Sequence, residues 1–441
     1  MGQRLAKLRQ HGGMLAWYGQ PRPLYSGGNE LRLLRGGEQL FPAMCRAIAR
    51  ARHEVWLATY IFNEDPAAEQ VVQALVAAAR RGARVRLVVD GFGAAHCLNS
   101  GMLKRLERHG VAVAVFRPVG NLLSWLKPGQ LRRLHMKLCV VDGETGFVGG
   151  INLMDDRYDL GHGWSPLPRL DYAVQAIGPV VLPIEHTLRA VWSRAWFGRD
   201  WRDELGDLLQ DLARRPKRAA RLRRLSRRLR MRPNVREAQH LMQASVDRRP
   251  VRSAFVVRDN FRQRRTIERC YIDAIQQAQH TVDLVCPYFY PGNAFRLALR
   301  HAARRGVKIR LLLQGKLDYR IAGWAAQAVY HELLGHGIRI FEYTPAFLHA
   351  KVAVVDGRWA TVGSSNIDPL SLLVNLEANL LIQDETFAQS LAADLRLAFA
   401  ASREVVDPAG MQGSAWAVLR RAMVAWVANV YLRVAGANER Y

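Results

Sequence analysis

At positions 134–143 the chain reads LHMKLCVVDG, and at positions 348–357 it reads LHAKVAVVDG. In each copy a His and a Lys two residues apart precede an apolar run that ends in Asp-Gly, a pattern typical of a buried strand entering a turn. Alternate residues of a strand share a face, so the His and the Lys of each copy should point into one space, with the Asp at the turn. These residues are His135, Lys137 and Asp142 in the first copy, and His349, Lys351 and Asp356 in the second.

The two copies belong to a duplication that covers most of the chain. The helix-and-strand blocks at 47–57 and 78–87 recur in the same order at 274–284 and 302–311. A Gly-rich segment downstream of each motif leads to an asparagine, Asn152 in the first half and Asn366 in the second. A repeat of this length favours two homologous lobes over a solenoid.

Strands at 85–89 and 309–313 alternate with helical stretches, which predicts an α/β fold. We expect two homologous α/β sandwich lobes, each with a mixed sheet flanked by helices, and an active site between them. We divide the chain into an N-terminal extension (1–27), a first lobe (28–210), a basic linker (211–250), a second lobe (251–408) and an amphipathic C-terminal helix (409–441).

Charge narrows the class of partner. The 64 Lys and Arg against 38 Asp and Glu give a net charge of +26, a field that concentrates nucleic acid or an anionic lipid surface. The basic run at 214–232 is either a lipid-headgroup contact or a solvated helix face, and the apolar stripe at 416–434 is either an interfacial anchor or core.

Cysteine usage and hydropathy suggest the compartment. Five scattered cysteines without CxxC spacing argue against a disulfide framework or a zinc site and favour a reducing cytoplasm. We expect neither a secretory signal nor a transmembrane segment, because the longest apolar run, 422–432, is too short to cross a bilayer.

Pairing the lobes would bring together two His, two Lys and two Asn, a set suited to phosphodiester transfer. One imidazole attacks phosphorus, the other protonates the leaving alkoxide, and ammonium and amide groups neutralise the phosphoryl oxygens. A lone His on a strand is usually structural, but equal spacing in two copies within a wider duplication argues for chemistry. No metal-ligand cluster stands out, so we expect no metal and no cofactor, with full activity in chelator.

These motifs resemble the paired HKD motifs of the phospholipase D superfamily. The segments GGIN at 149–152 and VGSSNIDP at 362–369 are similar to those of bacterial cardiolipin synthases of the shorter, B type. The resemblance implies a catalytic set of His135, Lys137, Asp142, His349, Lys351 and Asp356, in which the two aspartates are structural or orienting. It implies a phosphate-binding or supporting set of Asn152, Asn366, Ser364, Glu377 and Asp171, in which Glu377 holds one motif His and Asp171 is its counterpart in the first half.

The resemblance also implies an activity. One phosphatidylglycerol would give its phosphatidyl group to a second through a phosphatidyl-histidine. We assign His135 as nucleophile and His349 as acid and base, and the reverse assignment stays open. Phosphatidylethanolamine or a free polyol could replace the second substrate. We expect a peripheral protein on the cytoplasmic face of the bacterial inner membrane, with phosphatidylglycerol rather than nucleic acid as partner. The sequence gives no indication of the oligomeric state.

Two other classes of function remain open at this point. A phospholipase D-type hydrolase or a nuclease of the same superfamily would use water or a nucleic-acid diester in place of the lipid acceptor. A non-catalytic module that binds anionic membrane would use the basic run and the C-terminal stripe, and would leave the two motifs without a role.

Overall fold

The computed structural model describes residues 22–118, 132–160, 162–197, 251–259, 263–315 and 329–406. The basic linker, the C-terminal helix and most of the N-terminal extension predicted above lie outside the described residues, as do the basic run at 214–232 and the apolar stripe at 416–434. Among the helices that are described, none has both the length and the apolar character needed to cross a membrane.

The first half alternates strands and helices. Helix α2 begins at Pro66 for two reasons. Asp65 caps it by accepting a hydrogen bond from the Ala68 N–H at 2.9 Å, and proline fits the first turn of a helix. The elements are β1 Ser26–Arg35, α1 Gly36–Ala49, β2 Glu54–Thr59, α2 Pro66–Arg80, β3 Arg84–Asp90, α3 Ala95–Ser100, α4 Met102–Arg108, β4 Ala112–Phe116, β5 Lys137–Val141, β6 Thr145–Gly149, β7 Tyr158–Asp159, β8 Gly163–Trp164, β9 Tyr172–Ile177 and α5 Val181–Phe197.

The second half repeats the main order of strands and helices, with a short helix in place of the small β7–β8 hairpin and one further strand at its end. Asp384 caps α9 as Asp65 caps α2, accepting from the Phe387 N–H at 2.7 Å. The elements are β10 Val251–Arg258, α6 Thr266–Gln277, β11 Thr281–Val285, α7 Asn293–Arg304, β12 Lys308–Gln314, β13 Arg339–Tyr343, β14 Val352–Val355, β15 Trp359–Gly363, α8 Pro369–Leu373, β16 Glu377–Gln383, α9 Glu385–Ala400 and β17 Arg403–Glu404.

The predicted mixed sheets are confirmed, and they join edge to edge. The strand order of the first half is β4-β3-β2-β5-β6-β9-β1, and that of the second is β10-β16-β15-β14-β11-β12-β13-β17. Strands β2, β3 and β4 are parallel, as are β11, β12 and β13, whereas β5 and β14 run antiparallel to their neighbours. Strands β1 and β10 pair antiparallel, so all the described strands except β7 and β8 form one fifteen-stranded sheet about this junction.

Both halves contribute to a common core. One face of each half-sheet packs on its own helices, on α1 and α2 in the first half and on α6 and α7 in the second. The opposite faces share one apolar cluster, which also takes in α5 and α9. Leu134 pairs with Leu376, and Leu170 with Leu348, in isolated bridges between the halves. The segments that lead into the two motifs are therefore fixed by the opposite half.

Candidate active site

The two motif histidines lie where the two halves of the chain contact each other. The His135 N–H donates to the Leu376 carbonyl at 3.0 Å, and the His349 N–H donates to the Leu170 carbonyl at 2.9 Å. Each motif is thus hydrogen-bonded to the other half at the residue that carries the imidazole. The histidine side chains are 12% and 21% exposed, so each ring keeps a small opening to solvent.

Each imidazole is held by a carboxylate from the opposite half. His135 Nδ1 lies 3.0 Å from Glu377 Oε2, and His349 Nδ1 lies 2.6 Å from Asp171 Oδ2. Both carboxylates are buried. In its ionised form each carboxylate only accepts hydrogen bonds, and it then holds the proton on Nδ1 and leaves the Nε2 lone pair for chemistry. The sequence predicted that Glu377 holds one motif His, and the structure places it on His135.

The two carboxylates are supported in different ways. Ser364 Oγ donates to Glu377 Oε2 at 2.6 Å, whereas the Tyr172 N–H donates to Asp171 Oδ1 at 2.8 Å. Gly150 occupies the position that matches Ser364, and a Cβ on it would lie 2.4 Å from Asp171 Oδ1. The Gly-rich segments therefore make room for one carboxylate and supply a hydroxyl to the other.

The motif lysines bring positive charge to the buried site. Lys137 Nζ donates to the His135 carbonyl at 2.7 Å, and Lys351 Nζ donates to the His349 carbonyl. Burial lowers the pKa of Lys137 to about 7 and that of Lys351 to about 8, and nearby carboxylates oppose this shift. Both ammonium groups would gain from an anionic ligand, because a negative charge would offset the cost of their burial.

Burial also lowers the pKa values of the two motif imidazoles. It lowers the pKa of His135, against the attraction of Glu377, and lowers that of His349 well below its usual range, with help from Lys351. Burial raises the pKa of Asp171 to about 7. In the free protein near neutral pH both imidazoles are therefore neutral, the state that a nucleophile requires.

Each asparagine contacts the segment that follows a strand, Asn152 the segment after β2 and Asn366 the segment after β11. Asn152 Oδ1 accepts from the Ile61 N–H at 3.2 Å, and Asn366 Oδ1 lies 3.8 Å from Cys286 Sγ. Both asparagines are buried close to the motif strands. Their observed contacts brace the walls of the site, and contact with substrate phosphate stays a prediction.

The motif aspartates lie apart from the imidazoles, at the far ends of β5 and β14. Both have left-handed backbones, with φ of 52° at Asp142 and 51° at Asp356. The Asp142 carboxylate accepts three backbone N–H groups, from Arg52, His53 and Glu54, at 2.7 to 2.8 Å. Asp356 accepts three N–H groups from 279–281 in the same way. The structure therefore gives both aspartates a backbone-bracing position and no contact with the reacting nitrogens.

Tyr60 is a site residue that sequence reasoning missed. In the aromatic segments at 60–62 and 288–290, Phe62 and Phe289 are buried in the core. Tyr60 instead packs edge-on against His135, with ring centroids 4.9 Å apart, and lies 5.4 Å from Lys137 Nζ. Its position at the carboxyl end of β2, where a parallel strand opens toward a site, is the signal that could have found it.

Two polar residues behind the motifs were also missed. Asp90 Oδ2 accepts from the Leu134 N–H at 2.8 Å, and Gln314 Oε1 accepts from the Leu348 N–H at 2.9 Å. Asp90 ends β3 and Gln314 ends β12, so they match in the duplication. Each fixes the backbone immediately before a motif His.

The described part of the chain holds no metal-ligand cluster. Those residues include no group of three or more His, Cys, Asp or Glu side chains arranged to hold an ion. The cationic groups that act on the imidazoles are Lys137, Lys351 and, for His349, the buried Arg169.

Known proteins resemble this chain along most of its length. The family described as cardiolipin synthase, PLD-like domain, matches residues 44–162 and 271–397. Cardiolipin synthase B of Escherichia coli K12 is 35% identical over 404 residues, which cover 90% of this chain and 87% of that one. Cardiolipin synthase A of Pseudomonas fluorescens SBW25 is 33% identical over 387 residues, which cover 86% of this chain and 70% of that one.

A solved structure shares the fold. The phosphatidylserine synthase of Haemophilus influenzae Rd KW20 superposes with a TM-score of 0.57 at 11% sequence identity, covering 91% of this chain and 93% of that one. At this identity the likeness concerns the fold alone. It agrees with the α/β fold described above, a large mixed sheet flanked by helices.

Proposed function

The chain belongs to the cardiolipin synthase family of phospholipase D-like proteins, and we propose that it transfers a phosphatidyl group from one phosphatidylglycerol to another, giving cardiolipin and glycerol. The observation that carries this proposal is the reciprocal arrangement of the histidines. Each imidazole is oriented by a buried carboxylate of the opposite half, and the two lie beside two buried ammonium groups. Such a pair can supply both a nucleophile and an acid to one phosphodiester.

In the first step His135 Nε2 attacks the phosphorus of phosphatidylglycerol. A P–N bond forms, the P–O bond to the glycerol headgroup breaks, and the leaving oxygen takes a proton from Nε2 of His349. His349 must be protonated for this step, and the negative charge of the bound phosphodiester raises its pKa from the low value of the empty site. The products are a phosphatidyl-histidine and free glycerol.

In the second step His349 is neutral and acts as the base. It takes a proton from a glycerol hydroxyl of the second phosphatidylglycerol, whose oxygen attacks phosphorus as the P–N bond breaks. Cardiolipin leaves and His135 is restored, so the second step retraces the first with another alcohol. Lys137, Lys351 and the amides of Asn152 and Asn366 are the groups that we assign to the charge on the phosphoryl oxygens.

We place this reaction at a membrane surface. Phosphatidylglycerol resides in a bilayer, and the net charge of +26 favours a surface rich in anionic headgroups. We propose peripheral attachment to the cytoplasmic face of a bacterial inner membrane.

The experiment that tests the activity uses purified protein and phosphatidylglycerol vesicles in EDTA. Cardiolipin and glycerol should form in equal amounts, and His135→Ala and His349→Ala should each abolish both products. Phosphatidic acid in place of cardiolipin would identify a hydrolase, and cleavage of DNA without a lipid product would identify a nuclease. Loss of activity in EDTA would contradict a mechanism without a metal.

A second experiment assigns the two histidines. A phosphatidyl ester of p-nitrophenol has a leaving group that needs no proton, so a variant without the acid can still form the covalent intermediate. His349→Ala should release a burst of nitrophenol and carry the phosphatidyl group on His135, as seen by mass spectrometry. His135→Ala should give no burst, and the opposite pattern would exchange the two roles.

A further inference from the structure

Four large apolar side chains are exposed on segments close to the two histidines. The exposed fractions are 46% for Phe92, 54% for Leu160, 65% for Trp164 and 49% for Leu167. Phe92 follows β3, and the other three belong to the hairpin segment 155–169 that contains β7 and β8. We call these four residues the apolar rim.

The hairpin segment is held to the body of the first half. Its strands pair Tyr158 with Trp164, and the two rings lie 5.4 Å apart. The buried Arg169 donates to the Tyr158 carbonyl at 3.0 Å and to Asp159 Oδ2 at 3.1 Å. Trp164 is therefore presented to solvent from a braced turn.

This hairpin segment stands next to His349. The His162 ring lies 5.3 Å from that of Phe347, two residues before His349. At the end of the hairpin segment, the Leu170 N–H donates to the Phe347 carbonyl at 2.8 Å, and the next residue is Asp171, which holds His349. The exposed hairpin residues thus flank the site on the side of the second motif.

Phe92 flanks the site on the side of the first motif. Its N–H donates to Asp90 Oδ1 at 2.8 Å, while Asp90 Oδ2 accepts from the Leu134 N–H at 2.8 Å. The guanidinium carbon of Arg133 lies 5.5 Å from the centre of the Phe92 ring. The Phe92 ring therefore lies over the buried Arg133, in the segment that leads into His135.

We propose that the apolar rim is the surface by which this protein docks on a bilayer with anionic headgroups. The inference rests on the proposed function, since a lipid whose phosphorus must reach buried imidazoles has to leave the bilayer beside them. Trp and Leu on a braced turn insert at the headgroup boundary, where an aromatic ring with a polar N–H is favoured. The exposed Arg157 on the hairpin segment matches the charge of such a surface, as does the net charge of +26.

The docking test uses flotation with vesicles of phosphatidylglycerol and phosphatidylcholine, in a His349→Ala background so that the lipids stay unchanged. Leu160→Ser with Trp164→Ser should weaken vesicle binding by at least about tenfold, because both side chains lose their apolar contact with lipid. Leu167→Ser alone should weaken it less. The matched control is Leu397→Ser on α9, which is 74% exposed but outside the rim and should bind like the parent chain.

Turnover separates docking from chemistry. In the chain with both histidines, the double substitution should slow cardiolipin formation on vesicles by at least about tenfold while sparing turnover of a short-chain phosphatidylglycerol dispersed as monomers. Vesicle binding equal to that of the Leu397→Ser control would overturn the proposal, as would an equal loss on vesicles and on dispersed substrate. If the parent chain makes no cardiolipin, the proposed function fails, and flotation still decides the docking surface.

Discussion

At the scale of single residues, the site depends on how closely the carboxylates of Asp171 and Glu377 are held against the motif histidines. Gly150 and Ser364 hold matching positions, yet one leaves space for Asp171 and the other donates a hydroxyl to Glu377. A shorter acid is thus paired with a Gly, and a longer acid with a Ser. The two halves reach the same imidazole–carboxylate contact by different local means.

Gly150→Ala should slow turnover by at least about tenfold, because its Cβ would lie 2.4 Å from Asp171 Oδ1 and the carboxylate would have to move off His349. The measurement is kcat on phosphatidylglycerol vesicles, with melting temperature recorded in parallel. Gly82→Ala is the matched control. It has φ of 94° and open space around its Cβ, so it should cost about 1 kcal/mol of stability and leave kcat unchanged. A normal kcat for Gly150→Ala would show that Asp171 tolerates displacement.

The buried lysines predict an alkaline limit to substrate capture. Their pKa values of about 7 for Lys137 and about 8 for Lys351 mean that the free protein loses these positive charges as pH rises through that range. Since the protonated forms bind phosphate, kcat/KM should fall with rising pH, whereas kcat should change less because bound phosphate raises both pKa values. Initial rates measured across this pH range test the prediction. A kcat/KM that stays constant well above both values would contradict the role given to the lysines.

At the scale of elements, each motif strand is fixed at both ends. The His end is hydrogen-bonded to the opposite half, and the Asp end accepts three backbone N–H groups of its own half. The sequence predicted β5 and β14 from their apolar runs and turn residues, and the structure confirms both strands. It also shows why the aspartates recur at a fixed distance from the histidines, since each closes the far end of a motif strand.

Asp356→Asn should destabilise the fold more than it impairs chemistry. Burial acts to raise the pKa of Asp356, but three backbone N–H groups outweigh it, so the pKa lies below the usual range. The stability from this carboxylate is therefore full above its unfolded pKa and is lost as pH falls through the lower folded pKa. The free energy of unfolding should drop by about 1 kcal/mol at neutral pH, and the deficit should shrink in acid.

Asp171→Asn is the companion variant for this prediction. It changes a carboxylate that holds His349, so its kcat should fall much further than that of Asp356→Asn. Chemical denaturation at several pH values, with kcat on the same samples, distinguishes the two roles. Equal kcat losses in both variants would argue that the motif aspartates act on the chemistry after all.

At the scale of the whole molecule, the halves depend on each other. They share one apolar cluster, pair through β1 and β10, and exchange the carboxylates that hold the histidines. Arg35 on β1 also forms an ion pair with Asp394 on α9. Neither half contains a complete catalytic arrangement without the other.

Leu380→Ala should shift unfolding of both halves together. Leu380 is fully buried in the shared cluster, and its truncation should cost about 2–5 kcal/mol. Calorimetry should show one transition at a lower temperature, because loss of the common core affects both sheets. Leu297→Ala on α7, where the side chain is 45% exposed, is the control and should leave the transition in place. Two separate transitions, only one of them displaced, would show that the halves unfold independently.

The sequence by itself determined the α/β class, the duplicated motifs, the family and the set of groups available for chemistry. These follow from local signals: apolar periodicity along a strand, turn residues and equal spacing in two copies. Local signals also indicated Glu377 as a histidine partner and Asp171 as its counterpart, through resemblance to a known family. They could not say which histidine each acid holds.

Only the tertiary structure decided how these groups are paired. His135 and Glu377 are 242 positions apart, and His349 and Asp171 are 178 apart. No local pattern encodes such contacts, because they arise when the two half-sheets share one core and the segments before their motif strands pair with the opposite half. The same packing brings Tyr60 against His135 and sets an exposed hairpin beside His349. Spacing along the chain specifies each half of the site, and the burial of apolar surface between the halves assembles it.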